Sequence, residues 1–348
     1  MRIANACTHA DLFWAIKGGG GGSLGVLTRV TLRTHALPAV FGAVFGKVQA
    51  GSDAAYRELV AATLRFYGAS LCNPHWGEKL IFEGNNTLQI SMVFQGLSKE
   101  QAESLWAPFV QWVQARQDCR FNEALRVFAL PVRHFWDADY FRRHLPDVLQ
   151  NDERPGASPD HVVWAGDKEE AGWHIHSYQS LWLPRQLLDE HALSTLAGAL
   201  FAASRHWGVQ LHFNKGMAGA SPATLAACRD TATNPNMLGA FALAIVAGGG
   251  APAYPGMPGR TPKAAEARAD AQRIGQAMAE LKRLAPDGGA YVSESDFFQP
   301  DWQDAYWGSN YARLAAVKRQ YDPHGLFFVH HGVGSEAWSA DGFTPLPS

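Results

Sequence analysis

Gly18 to Gly22 is a run of five glycines, closed by Ser23, Leu24 and Gly25. Without Cβ atoms, such a run leaves backbone N–H groups open and lets a ligand approach the main chain. A dinucleotide fingerprint leads from a strand into a helix, and a Walker loop ends in Gly-Lys-Ser/Thr. This run does neither, because it leads from a helical pattern into a strand-like one. A plain turn fits the same residues. A second constellation is rich in histidine. His174, His176, Tyr178 and Ser180 alternate along GWHIHSYQSLWLP and are expected on one face of a strand. His212, Asn214 and Lys215 repeat the arrangement in VQLHFNK. Together they fit a wall that binds a small-molecule substrate, and they also fit a solvated sheet face. Two imidazoles at i and i+2, with no Cys or acidic third ligand, do not make a metal site. Near the C-terminal end, Tyr291 and Glu294 stand in YVSESD. A glutamate acts as a general base when burial raises its pKa toward neutral. A core tyrosine and a loop carboxylate are the alternatives. The tail pair His330-His331 reads as structural, since unpartnered histidines seldom ligate metals.

These residues need a scaffold. Asp11 to Lys17 reads as a short helix, and Val26 to Thr34 alternates like a strand that ends before Pro38. One helix and one strand bury too little apolar surface to stand alone, so this piece must lie against further chain. Strands are then expected at 40–48, 88–96, 172–184, 209–215 and 241–249. Helices are expected at 53–68, 98–115, 185–205, from Thr261-Pro262 to about Leu284, where Pro suits the first helical turn, and in the tail over WQDAYWGSNYARLAAVKRQY, which Asp322-Pro323 breaks. The stretch 118–170 reads as irregular, with a clear loop at 151–160. Such an alternation predicts an α+β fold with a large antiparallel sheet covered by helices.

Bulk composition narrows the function classes. With 30 basic against 32 acidic residues the chain has no strong field for nucleic acid or an anionic membrane. No apolar run reaches the roughly 18 residues of a membrane-spanning helix. The first residues lack an apolar stretch with a small-residue cleavage site, so the cytoplasm is the default location. Cys7, Cys72, Cys119 and Cys228 contain no CxxC pair, which removes zinc-knuckle and dithiol chemistry. The 12 Trp and 19 Phe fit either thick packing or a site for a flat ligand.

Two long segments resemble a known family. DLFWAIKGGGGGSLGVLTRVTLRTHALP is similar to the end of the FAD-binding domain in the berberine bridge-like branch of the vanillyl-alcohol oxidase superfamily. DWQDAYWGSNYARLAAVKRQYDPHGLFFVHHGVGS resembles that branch's C-terminal segment, where an aromatic-Gly-x-Asn, an Arg-Leu, a Val-Lys and an Asp-Pro recur in order. NPHWGE, LHFNKG and YVSESD resemble substrate-domain elements between them. The resemblance implies the end of a PCMH-type FAD-binding domain over 1–38, a substrate domain over 39–285, and a C-terminal segment over 286–348 that returns to the FAD domain.

The same resemblance implies site residues. Gly19, Gly20, Gly21, Gly22 and Ser23 would sit near the flavin's diphosphate and ring, and Val26 by the adenine side. Asn310 and Tyr311 would return beside the isoalloxazine. Tyr291 and Glu294 occupy the place where relatives often show Tyr-x-Asn-Tyr, with Glu294 in place of the second Tyr. The implied activity is oxidation of an alcohol, sugar or amine-type group by hydride transfer to FAD, with oxygen as the electron acceptor. Relatives hold FAD largely through an earlier segment that carries a linking His and often a Cys, which this sequence does not contain. The expectation is therefore a chain truncated at its front, and covalent flavin attachment is not implied for it. The alternative is a non-catalytic substrate domain that binds a ligand or partner without flavin.

Overall fold

The computed structural model describes residues 1–167 and 172–347. In chain order the elements are α1 (Ala10–Ile16), β1 (Val40–Ala50), α2 (Asp53–Phe66), β2 (Trp76–Phe82), β3 (Thr87–Gln95) and α3 (Lys99–Gln114). Then come β4 (Cys119–Pro131), α4 (Ala138–His144), β5 (Leu149–Asn151), β6 (Val162–Trp164), β7 (His174–Pro184) and α5 (Glu190–His206). The chain ends with β8 (Val209–His212), α6 (Pro222–Arg229), β9 (Ala240–Gly250), α7 (Ala264–Lys282), α8 (Trp302–Trp307) and α9 (Tyr311–Tyr321).

Seven strands form one antiparallel sheet in the order β4-β1-β3-β2-β8-β9-β7, and β5 and β6 pair separately. Helices start where side chains cap them. Ser52 accepts from Ala55 N–H at the head of α2, and Ser98 makes a reciprocal capping box with Gln101 at the head of α3. The apolar stripes of α2, α3, α5 and α7 bury against one sheet face. Leu59, Trp106, Leu200 and Ile274 meet Leu80, Ile90, Leu211 and Ala244 there, which makes the main core. The other face carries Lys79, Gln210, His212, Leu243, Ile245, Ser180 and Trp182 in register across β2, β8, β9 and β7. It is the open face only in that none of these four helices covers it. Leu243, Ile245, Ser180 and Trp182 are themselves buried, the three apolar ones in a smaller cluster with Tyr178, Met237 and Tyr291.

Four expectations need correction. Residues 25–38 contain no strand, and Val26, Leu27, Val30, Leu32 and Leu37 are all exposed. A strand exists only by pairing, and no strand among the described residues lies beside this segment. The stretch after 118 is not irregular throughout. Residues 119–131 form the edge strand β4, whose alternation is interrupted where its pairing with β1 shifts register. The shared face of His174, His176, Tyr178 and Ser180 is broken by a bulge, because the pairing of β7 with β9 shifts register between Ile175 and Ser177. Finally, the tail helix is split, since Gly308 at φ 51° and ψ −131° separates α8 from α9.

A second, smaller core joins the two ends of the sequence. Trp14 and Ala15 of α1 pack with Ala290, Tyr306, Trp307, Leu314 and Val333. This brings the glycine run next to the C-terminal segment.

Candidate active site

The glycine loop follows α1, whose last turn is capped by Gly19 N–H on the Ala15 carbonyl. Gly20 and Gly22 have φ of 81° and 78°, values that favour glycine. A Cβ on Gly22 would run into Val329, whereas a Cβ on Gly21 would meet nothing within 4 Å. The main chain at Gly21 therefore faces open space. Ser23 is fixed from two sides: its Oγ accepts from Val333 N–H at 3.1 Å, and its carbonyl accepts from Lys318 Nζ at 2.7 Å. Lys318 also donates to the Phe327 carbonyl at 2.6 Å and to Asp322 at 2.5 Å, so all three of its protons are used. Both partners of this ion pair are buried.

The loop forms one wall of a cleft of about 310 Å³, with Trp307, Ser295, Asp296 and His331 among the facing residues. That volume is at the lower end of the range for small-molecule sites. Trp307 is fully buried and donates its Nε1–H to the Gly18 carbonyl at 3.0 Å. Phe297, His330, His331 and Trp302 stack in a ladder, with ring centroids 4.0, 3.8 and 5.3 Å apart. His331 adopts φ 55°, and burial, aided by neighbouring His330, lowers its pKa. Its Nδ1 is buried without a hydrogen-bond partner among the described residues. An open glycine backbone, a ladder of flat rings and an orphan imidazole nitrogen together suit a planar, hydrogen-bonding heterocycle such as a flavin.

Asn310 and Tyr311 lie behind this cleft. Asn310 donates to the Thr233 carbonyl at 2.9 Å. The Tyr311 hydroxyl donates to Glu336 at 2.6 Å and accepts from Gly334 N–H, while its ring stacks on Trp307 at 5.6 Å. Burial, together with Glu336, raises its pKa. Val26 is exposed beyond the loop.

On the open sheet face the structure gathers Tyr291, Glu294, Lys215 and His212. Tyr291 and Glu294 close a tight turn against the free edge of β7, where Tyr291 N–H donates to Ser180 Oγ at 3.1 Å. Lys215 forms an ion pair with Glu294. The Tyr291 ring lies 6.1 Å from Trp182, among Leu243, Ile245 and Tyr178. His212 donates from Nε2 to Gln210 at 3.2 Å. Burial, with help from Lys215 and Lys79, lowers its pKa to about 4.

That shift sets a pH dependence. Between about pH 6.5 and 4 the unfolded chain protonates this histidine and the folded chain does not, so stability falls as pH falls through that window. His212→Phe is expected to flatten the urea-denaturation midpoint between pH 7 and 4. An unchanged slope would contradict the buried, neutral assignment.

The remaining histidine-strand residues go elsewhere. His176 turns under the helices, where its Nδ1 meets Asp270 of α7 at 2.8 Å and Asp270 also holds Arg273. His174 packs edge-on against His176 at 5.1 Å. Asn214 is exposed and donates to Glu78. Sequence reasoning passed over Lys318 and Trp182. The i, i+4 spacing of Lys318 and Asp322 and the alternation of Trp182 with Ser180 were the available signals.

Known proteins resemble the chain in both sequence and fold. Residues 290–334, the Tyr291 turn through the end of the tail, match the family described as berberine and berberine like. The FAD-linked oxidoreductase malF of Malbranchea aurantiaca is 29% identical over 98% of this chain and 52% of its own length. The chain thus carries a berberine-like segment at its C-terminal end and resembles FAD-linked oxidoreductases over nearly its whole length. Solved structures show the same fold. A VAO-type flavoprotein from Myceliophthora thermophila superimposes with a TM-score of 0.70 at 22% identity, covering 97% of this chain and 56% of that one. A carbohydrate oxidase from Microdochium nivale, solved with a substrate analogue, gives a TM-score of 0.63 at 18% identity, covering 95% and 63%. The chain spans about half the length of the curated relatives it matches. The relatives are named as FAD-linked, and the open glycine backbone and ring ladder of the cleft are compatible with that group. Among the described residues no helix is long and apolar enough to cross a membrane, and no cluster of three metal-ligating side chains occurs.

Proposed function

We propose that this chain supplies the substrate wall and one side of the flavin pocket in an FAD-dependent oxidase acting on an alcohol, sugar or amine-type small molecule. The observation that carries this reading is the cleft between Gly20-Gly21 and the tail residues Trp307 and His331. Residues 1–38 then belong to a PCMH-type FAD-binding domain, 39–285 to a substrate domain, and 286–348 to the segment that returns to the FAD side. Gly19 to Gly22 and Ser23 would hold the cofactor through main-chain N–H groups, and Val26 would extend that contact. Asn310 and Tyr311 would support it by fixing the 231–233 loop and Trp307. When bound, FAD accepts a hydride and returns the electrons to an acceptor, for which oxygen is the proposed partner.

The protein's own task is to orient the substrate and take its proton. Glu294 or Tyr291 would accept that proton, and Lys215 would hold the Glu294 carboxylate in place until the substrate arrives. His174, His176, Tyr178, His212, Asn214 and Lys215 were the candidate substrate contacts. The geometry favours Tyr178 and His212, which share that sheet face, and Lys215, which is paired with Glu294.

Glu294→Gln is expected to lower turnover by about 10²–10⁴-fold and to remove the acidic limb of the pH–rate profile. Tyr291→Phe is the companion variant, and the larger loss identifies the base. Peroxide formed in step with substrate consumption would identify oxygen as acceptor. If neither variant changes the rate, the base lies elsewhere. A protein that binds small molecules on the open face yet never takes up FAD would match the non-catalytic alternative.

A further inference from the structure

The two walls of the cleft beside the glycine loop offer opposite hydrogen-bonding groups. On the tail side, side-chain protons are already spent on main-chain carbonyls. The Tyr306 hydroxyl donates to the Asp296 carbonyl at 3.0 Å, Ser295 Oγ to the Val292 carbonyl at 3.1 Å, and Trp307 Nε1 to the Gly18 carbonyl. Nε2 of His330 likewise meets the Phe297 carbonyl at 2.9 Å. Among the described residues no lysine or arginine lines the cleft, and its one carboxylate is Asp296.

Asp296 is half-buried and makes no ion pair among the described residues. Neutral donors fix it instead. Gln179 of the edge strand β7 donates from Nε2 to Oδ2 at 2.8 Å, and Phe298 N–H donates to Oδ1 at 2.9 Å. An ionised carboxylate accepts at about four lone-pair positions, so two bonds leave acceptor capacity on a group with no counter-charge. The glycine wall is the reverse. The N–H groups of Gly20 and Gly21 find no carbonyl or side chain among the described residues, and Gly21 faces open space.

Donors thus line one wall and an unspent acceptor the other, with a cleft of about 310 Å³ between them. An imide edge, in which one N–H stands between two carbonyls, satisfies both walls. The pyrimidine end of an isoalloxazine is such an edge, and N3–H is the only proton donor on the oxidised ring. We propose that Asp296 binds the flavin by accepting the hydrogen bond of its N3–H, so that the imide end of the ring is the end lodged in the cleft. This deepens the flavin reading above and rests on it. One short segment, 291–296, then carries both candidate bases, Tyr291 and Glu294, and the carboxylate that registers the ring beside them.

Calorimetric titration of the protein with lumiflavin and with 3-methyllumiflavin tests this. Both have the ring without the diphosphate, and the second lacks the N3 proton. The wild-type protein is expected to bind lumiflavin about ten- to a hundredfold more tightly, the effect of one hydrogen bond to a charged group. Asp296→Ala should remove the preference. Asp296→Asn keeps an acceptor of the same shape and should retain part of it. With nitrogen-labelled lumiflavin, the N3–H proton resonance should move downfield on binding to the wild type and not to Asp296→Ala. A carboxylate that only shapes the loop would leave that resonance in place. If Asp296→Ala does not fold, Asp296→Asn and the wild-type resonance decide the matter. An unmoved N3–H resonance, or a preference that is the same in wild type and variants, would overturn the proposal. Equal binding of the two flavins by the wild type removes this inference alone, whereas binding of neither removes the flavin reading along with it.

Discussion

Lys318→Met is expected to lower unfolding stability by about 3–5 kcal/mol, the usual cost of removing one partner from a buried ion pair. Lys318 and Asp322 are both buried, with side chains 6% and 7% exposed. The substitution strands the Ser23 and Phe327 carbonyls and leaves the Asp322 carboxylate inside the protein without its counter-charge. Asp322 would keep only the N–H groups of Leu326 and Phe327. Burial pushes the Asp322 pKa up, but Lys318 and these two N–H groups outweigh it, and the net result is a lowered value. The pair therefore stabilises the fold above the ordinary aspartate value near 3.9, and its contribution is lost as pH falls through the lowered folded value. Urea denaturation at pH 7 should show the full deficit for Lys318→Met, and the deficit should shrink as pH falls toward 3. Equal midpoints at pH 7 would mean that Lys318 does not clamp the glycine loop.

Trp307→Ala should cost about as much, 3–5 kcal/mol, for a different reason. Trp307 is fully buried at the centre of the second core and touches Trp302, Tyr306 and Tyr311. Its removal leaves a cavity and an unpaired Gly18 carbonyl directly under the glycine loop. Trp307→Phe keeps most of the packing and loses the hydrogen bond, so its expected cost is smaller, about 1–3 kcal/mol. The flavin pocket should suffer in both, because Gly20 packs against this ring. A Trp307→Ala protein as stable as the wild type would mean that the two ends of the chain are held together by something else.

Much of the scaffold was legible in the sequence because β1, β3, β7, β8 and β9 each bury an alternating or continuous apolar set against the helices. Four strands were not: the three-residue pair β5 and β6, and two strands of the main sheet. β4 is an edge strand whose bulged pairing separates Phe121 from the apolar series Leu125, Val127 and Ala129, so the alternation does not run through. β2 is interrupted by Glu78 at φ 61°, which breaks its alternation. The glycine loop and the Tyr291–Glu294 turn stood out by residue type. What sequence did not reveal was partnership. The bulge at His176 sends that side chain to Asp270 rather than to the open face, and one residue of register decides it. The Lys215–Glu294 pair joins residues 79 positions apart. The i, i+4 spacing of Lys318 and Asp322 carries no sign of burial, and the wrapping of residues 23 and 327 around them buries both charges.

The most direct test of the flavin site is the visible absorbance of the purified protein before and after equilibration with excess FAD, followed by acid precipitation to distinguish bound from linked flavin. The cleft at Gly20-Gly21, Trp307 and His331 predicts flavin bands that stay with the protein through gel filtration, and that are weakened in Trp307→Ala. A protein that stays colourless at saturating FAD would contradict the account, and would leave the open sheet face as a binding surface without a flavin beside it.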